Sequence, residues 1–309
     1  MLAIGVAILV ATLTFLVLRH GERTRGGRRL PLYGWLGIGI IGLAEWLLWR
    51  RVWFVTLYMT PLCWTGYLLA ADAAVFSLRG ESRLRSRPAG LFAMALTSIP
   101  LWVIFEAYNL RLENWAYVGL PLKWPLALLG YGWSFATIVP ALLVTADWIE
   151  ALGIFAGRAR PWKPSAATGK VFILAGALMA LLPLLLPQTL GPYLFGLVWL
   201  AFAFLLEPIN ARLGLPSILR DFAEGRRSRF YSLLSAGWLC GWLWEFWNYW
   251  AAAKWVYIFP IFQQAKFFEM PIPGYVGFLP FAVECFAMWQ TARWLLHLPS
   301  AELETPGSG

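Results

Sequence analysis

Two stretches of this chain set a carboxylic acid and an amide on one helical face, with aromatic residues close by. The first reads Trp102-Val-Ile-Phe-Glu106-Ala-Tyr-Asn109 and is followed by Trp115-Ala-Tyr117. The second reads Trp244-Glu245-Phe-Trp247-Asn248 and is followed by Trp255-Val-Tyr257. Residues three apart share a helix face, so Glu106 pairs with Asn109 and Glu245 with Asn248. A third acid, Glu284, lies deeper in a later apolar stretch, where the first copy has Val144. A carboxylic acid held away from water can donate a proton, and ring faces stabilise a cation. Protonation of an alkene followed by a carbocation needs both. Glu284, Glu245 and Glu106 are the candidate acids, with Asn109 and Asn248 orienting them. Trp102, Trp115 and Tyr117 from one stretch, and Trp244, Trp247, Trp255 and Tyr257 from the other, would shape a pocket. The same Glu and Asn side chains have a plainer use, bonding a neighbouring helix or the following loop.

The elements that must position these groups are membrane helices. The chain has 309 residues, 60% hydrophobic and 13% charged, about half the charge of an ordinary soluble domain. Apolar stretches near 2–18, 32–49, 53–78, 91–110, 125–148, 171–187, 190–208, 231–250 and 274–296 alternate with short arginine-rich loops. Roughly 20 apolar residues cross a bilayer as a helix, because lipid offers backbone groups no partner. The expected fold is an all-α, polytopic transmembrane helical bundle of about nine spans. Alternate loops hold 19 and 6 of the basic residues. The positive-inside rule then puts the N-terminus out and the C-terminus in, at a cytoplasmic (inner) membrane. The net charge of +9 belongs to this topology and to anionic lipid, not to nucleic acid. Basic residues follow the first apolar stretch instead of preceding it, which fits a retained anchor better than a cleaved signal.

Internal similarity organises the spans further. Both copies read Glu-x-x-Asn, then Trp, x and Tyr, and then a proline, Pro121 or Pro260. Pro140 and Pro280 each fall 25 residues after their Trp. Upstream, Trp64 precedes Asp72 by eight residues and Trp199 precedes Glu207 by eight. The chain therefore divides into two leading helices (1–51), a first three-helix repeat (52–149), a basic loop with a linking helix (150–188), a second three-helix repeat (189–297) and a flexible tail (298–309). The closing Gly-Ser-Gly has the composition of an artificial linker. This 3+1+3 direct repeat makes a seven-helix core with a shared cavity between the copies.

Other residues take structural readings. Asp72 and Glu207 lie near cytoplasmic helix ends, and Asp147 and Glu45 closer to the headgroups. Trp49, Trp53, Trp124, Trp148 and Trp289 suit interfacial belts. Cys63, Cys240 and Cys285 have no metal or disulfide spacing, and His20 and His297 stand at span ends. No metal, haem or nucleotide cofactor is expected.

On these motifs the chain resembles the integral-membrane lycopene cyclase domain, whose three-span units occur in tandem. Trp244-Glu245 with Asn248 resembles that family's first element, and Trp255-Val-Tyr257 its second. Gly277-Phe-Leu-Pro280-Phe-Ala-Val-Glu284-Cys-Phe resembles the third. The resemblance covers roughly residues 53–296. It implies acid-initiated cyclisation or isomerisation of an isoprenoid or other long apolar lipid. The family's Pro-x-Glu-Glu is here a single displaced acid, Glu284, and Pro140 is followed by none. The alternative is a non-catalytic protein that binds a lipid or carotenoid, or a structural subunit beside membrane-protein partners or further copies of itself. Transport is a third reading, with no paired broken helices to support it.

Overall fold

The computed structural model describes residues 1–25 and 27–303. In chain order it contains α1 (Leu2–Arg23), α2 (Leu32–Trp49), α3 (Trp53–Arg79), α4 (Arg83–Ser86), α5 (Pro88–Leu112), β1 (Trp115–Val118), α6 (Trp124–Ala151) and α7 (Ala166–Leu185). There follow α8 (Gly191–Arg212), α9 (Ile218–Ala223), α10 (Ser228–Trp250), β2 (Lys254–Tyr257), β3 (Lys266–Phe267), β4 (Met270–Pro271) and α11 (Gly274–Leu295).

Each of the nine apolar stretches is a helix. Among the described residues, seven (α1, α2, α3, α5, α6, α7 and α8) are long and apolar enough to cross a membrane. The chain is thus built as a multi-pass membrane helical bundle. Helices α10 and α11 have the length, 23 and 22 residues. Their Trp, Tyr, Gly and charged residues dilute the hydropathy. Both are enclosed: α10 packs on α11, α6 and α3, and α11 on α8 and α6. Protein, more than lipid, is their surroundings.

Small residues let these helices approach. A Cβ on Gly37 of α2 would collide with the Gly66 carbonyl oxygen of α3, so glycine on both sides brings the two backbones into contact. Helix α3 is also bent. Tyr58 leaves helical geometry at φ −110°, ψ 24°, and Pro61 follows within the same helix. Proline has no N–H, so the carbonyl of Leu57 loses its helical donor.

The arginine-rich end is knit by buried charge. Asp72 accepts the Leu84 N–H at 3.0 Å and Glu207 accepts the Leu219 N–H at 3.2 Å. Each acid thereby holds a short helix, α4 or α9, that Ser82 or Ser217 caps. Asp147 is fully buried. Its carboxylate meets Arg83 at 2.5 and 3.2 Å and Arg229 at 2.7 Å. Charge pairing with these two arginines, not water, accommodates it at this end of the bundle.

Two expectations are corrected here. Trp49, Trp53 and Trp124 are exposed, as belt residues are, but Trp148 and Trp289 are buried. The Trp148 indole donates to His20 Nδ1 at 3.2 Å. The tail is not loose over its described part. Ala301 and Leu303 are buried, the Ala301 carbonyl accepts from Arg83 at 3.0 Å, and Glu302 accepts from Gln290 at 2.8 Å. The closing Gly-Ser-Gly lies outside the described residues.

Candidate functional site

The site begins with the two asparagines at the end opposite the arginines. Asn109 Oδ1 accepts the backbone N–H groups of Asn114 and Trp115 at 2.8 and 3.1 Å, and its Nδ2 donates to the Trp115 carbonyl at 2.8 Å. Asn248 Oδ1 accepts the Trp255 N–H at 3.0 Å, and its Nδ2 donates to the Trp255 carbonyl at 2.8 Å. An amide side chain bonding both groups of one residue imitates a β-partner. Each asparagine therefore turns the chain leaving its helix into a strand. Strands β1 and β2 then pair antiparallel, with Trp115 opposite Tyr257 and Tyr117 opposite Trp255.

The two acids on those helices fasten the ribbon's side chains. Glu106 Oε1 accepts the Trp102 indole at 2.7 Å and the Tyr117 hydroxyl at 2.5 Å. Glu245 Oε1 accepts the Tyr257 hydroxyl at 2.9 Å and the Trp255 indole at 3.3 Å. Burial first, and the neighbouring carboxylate second, push both tyrosine hydroxyls well above their ordinary pKa. Both remain protonated donors.

Beneath the ribbon lies a cavity of about 1060 Å³, counting its open mouth. Helices α3, α5, α6, α8, α10 and α11 and both strands contribute to its wall. Six expected pocket residues line it: Trp102, Trp115, Tyr117, Trp244, Trp255 and Tyr257. The other expected site residues stand elsewhere. Glu106 and Glu245 lie behind the wall, holding its rings, and Asn109 and Asn248 shape the strands. Trp247 donates to Glu45 at 3.0 Å and packs edge-on to Trp64 at 5.1 Å. Glu284 is fully buried; its Oε1 accepts the Phe202 N–H of α8 at 2.8 Å, and its Oε2 has no partner among the described residues. Three acids meeting on one cavity are not what the fold produces.

Several wall residues were not singled out as site residues from sequence. Trp199, Phe278 and Phe281 form one side, with Trp199 and Phe281 rings 4.7 Å apart. Tyr58, Trp64 and Tyr131 form part of another. Trp64 and Trp199 had a signal, their equal spacing before Asp72 and Glu207, but spacing alone did not say what they face. Among the described residues, Lys254 is the only Asp, Glu, Lys or Arg on the wall, and Glu269 already holds it at 2.5 Å. Among the described residues no three His, Cys, Asp or Glu group together as metal ligands. The wall is largely aromatic and apolar, a surface that suits flat, apolar matter better than a free ion.

Fold and site together define a multi-pass membrane helical bundle with an aromatic cavity roofed by a two-stranded ribbon. No family model matches the chain, and no curated protein or solved structure does either.

Proposed function

We propose that this protein holds a long apolar lipid of isoprenoid type in the aromatic cavity, without transforming it. The carrying observation is the division of labour around the site. Rings line the cavity, while Glu106 and Glu245 each accept from Tyr and Trp donors behind it through one carboxylate oxygen. Binding needs the rings alone. Lipid extraction and mass analysis of the purified protein test this. One stoichiometric apolar ligand, unchanged after incubation, is expected; a bundle free of any such ligand would overturn it.

One observation favours a catalytic second reading, acid-initiated cyclisation or isomerisation as in the lycopene cyclase domain. Tyr117 and Tyr257 stand on the cavity wall, each with a carboxylate behind its hydroxyl. Such a pair can pass a proton. On this reading Glu284→Gln, Glu245→Gln or Glu106→Gln abolishes conversion while the fold persists.

The membrane arrangement completes the proposal: nine crossings in a cytoplasmic membrane, N-terminus out and C-terminus in, with a 3+1+3 repeat distantly related to lycopene cyclase domains. Matched bonds support the repeat. Asp72 with Leu84 parallels Glu207 with Leu219, and Asn109 with Trp115 parallels Asn248 with Trp255. Orientation is tested by accessibility of single cysteines placed at the exposed Leu122 and Leu213. The ribbon end is expected to react from outside only. Co-purification with other membrane subunits, or a homo-oligomer, would add partners to this picture.

A further inference from the structure

The cavity has two unlike sides, and the difference bears on the ligand. This inference rests on the ligand-binding reading above. Trp199, Phe278 and Phe281 of α8 and α11 present rings. The side formed by α3 and α6 carries polar groups. Thr60 and Trp64 lie four residues apart on one face of α3, both on the cavity wall and both over nine-tenths buried. Neither Thr60 Oγ1 nor Trp64 Nε1 has a hydrogen-bond partner among the described residues. A helical threonine ordinarily returns its hydroxyl to a carbonyl one turn back; Thr65 does so with Pro61 at 2.8 Å, and Thr60 does not. Pro61 has no N–H, so the carbonyl of Leu57, another wall residue, lacks its helical i+4 donor.

A pure hydrocarbon would leave these groups unpaired, which is unfavourable in a dry site. A ligand oxygen placed against α3 would accept from Thr60 and Trp64. We propose that the ligand is an oxygenated, ring-bearing isoprenoid lipid, with its carbonyl or hydroxyl oxygen at Thr60 and Trp64 and its ring against Trp199 and Phe281. The chemical class is a prenylated quinone, phenol or cyclic ketone, as opposed to a polyene hydrocarbon.

The test titrates the full chain in nanodiscs with two probes: a prenylated benzoquinone, and an unsaturated hydrocarbon of equal chain length. Retention of each radiolabelled probe, over that of empty nanodiscs, reports binding. The quinone is expected to bind about tenfold or more tighter, the factor one good hydrogen bond supplies. Thr60→Val, which keeps the side-chain shape, and Trp64→Phe should each shrink that preference by weakening quinone binding. Should Trp64→Phe fail to fold, Thr60→Val carries the test alone. Equal affinities, or a preference that Thr60→Val leaves intact, would overturn the inference and spare the ligand-binding reading. Binding of neither probe would overturn both.

Discussion

The guanidinium of Arg83 grips the carboxylate of Asp147 through two nitrogens, Nε at 2.5 Å and Nη2 at 3.2 Å, with both side chains almost wholly buried. Asp147 belongs to α6 and Arg83 to the short α4, and Arg229 of α10 completes the contact. Removing Arg83 leaves Asp147 with Arg229 alone, Glu302 without its Arg83 contact, and the buried cluster one positive charge short. Arg83→Ala should therefore destabilise the bundle by about 3–5 kcal/mol. Thermal unfolding in detergent measures this. A loss under ~1 kcal/mol would show that the pair is screened as surface pairs are.

Glu302 extends the same cluster into the tail, 3.5 Å from Arg83. Burial pushes its carboxyl pKa up, but Arg83 and Arg229 more than offset this, and it lies below the usual carboxylate range. A depressed folded-state pKa means that ionised Glu302 stabilises the fold at pH above its unfolded value, roughly 4.3. The contribution fades as pH falls through the folded-state value. Unfolding followed from pH 7 downward should show the wild type losing stability over that acid range more than Glu302→Gln does. Parallel curves would remove Glu302 from the account.

Asn248 and Asn109 each bond a strand residue that the helix end alone would leave unpaired. Asn248→Ala should cost about 1–3 kcal/mol and, more tellingly, loosen β2. Hydrogen exchange at Trp255 is expected to quicken while the middle of α10 keeps its protection. Uniform quickening would assign the loss to the whole helix instead.

The glycine contact between α2 and α3 predicts a steric effect. Gly37→Leu forces the two backbones apart, and overpacking of this kind costs about 1–3 kcal/mol. Because α2 lies outside the cavity wall, ligand retention should survive in whatever fraction folds. Loss of ligand from properly folded variant protein would connect α2 to the site.

How much of this was legible follows from the distance over which each relation acts. Helices announce themselves by runs of apolar residues, so α2 lies where the apolar stretch 32–49 marked it. Glu106 with Asn109, and Glu245 with Asn248, are local, and their spacing was visible. What they bond was not, because Tyr117 and Tyr257 reach back from beyond a turn. Asp147 sits near the end of an apolar run, which marked its place along the chain but not what it bonds. Its partner Arg83 lies in another loop, and no local pattern links them. Trp289, likewise near the end of an apolar run, looked interfacial, yet neighbouring helices bury it completely. Thr60 attracts no notice in an apolar helix; only the bend at Tyr58 and the surrounding wall make its hydroxyl consequential.

The ribbon also carries a consequence for biogenesis. Its strands come from segments made far apart in time, since β1 is synthesised well before β2. Chains made N-terminus first insert their early helices before the late ones exist. Strand β1 therefore waits with an unpaired edge, and the chamber below it stays unroofed until α10 and β2 arrive. If the chamber holds a lipid as proposed, that interval is when it is most open. Pairing of β1 with β2 is therefore the step that completes the chamber, and it waits on the later half of the chain.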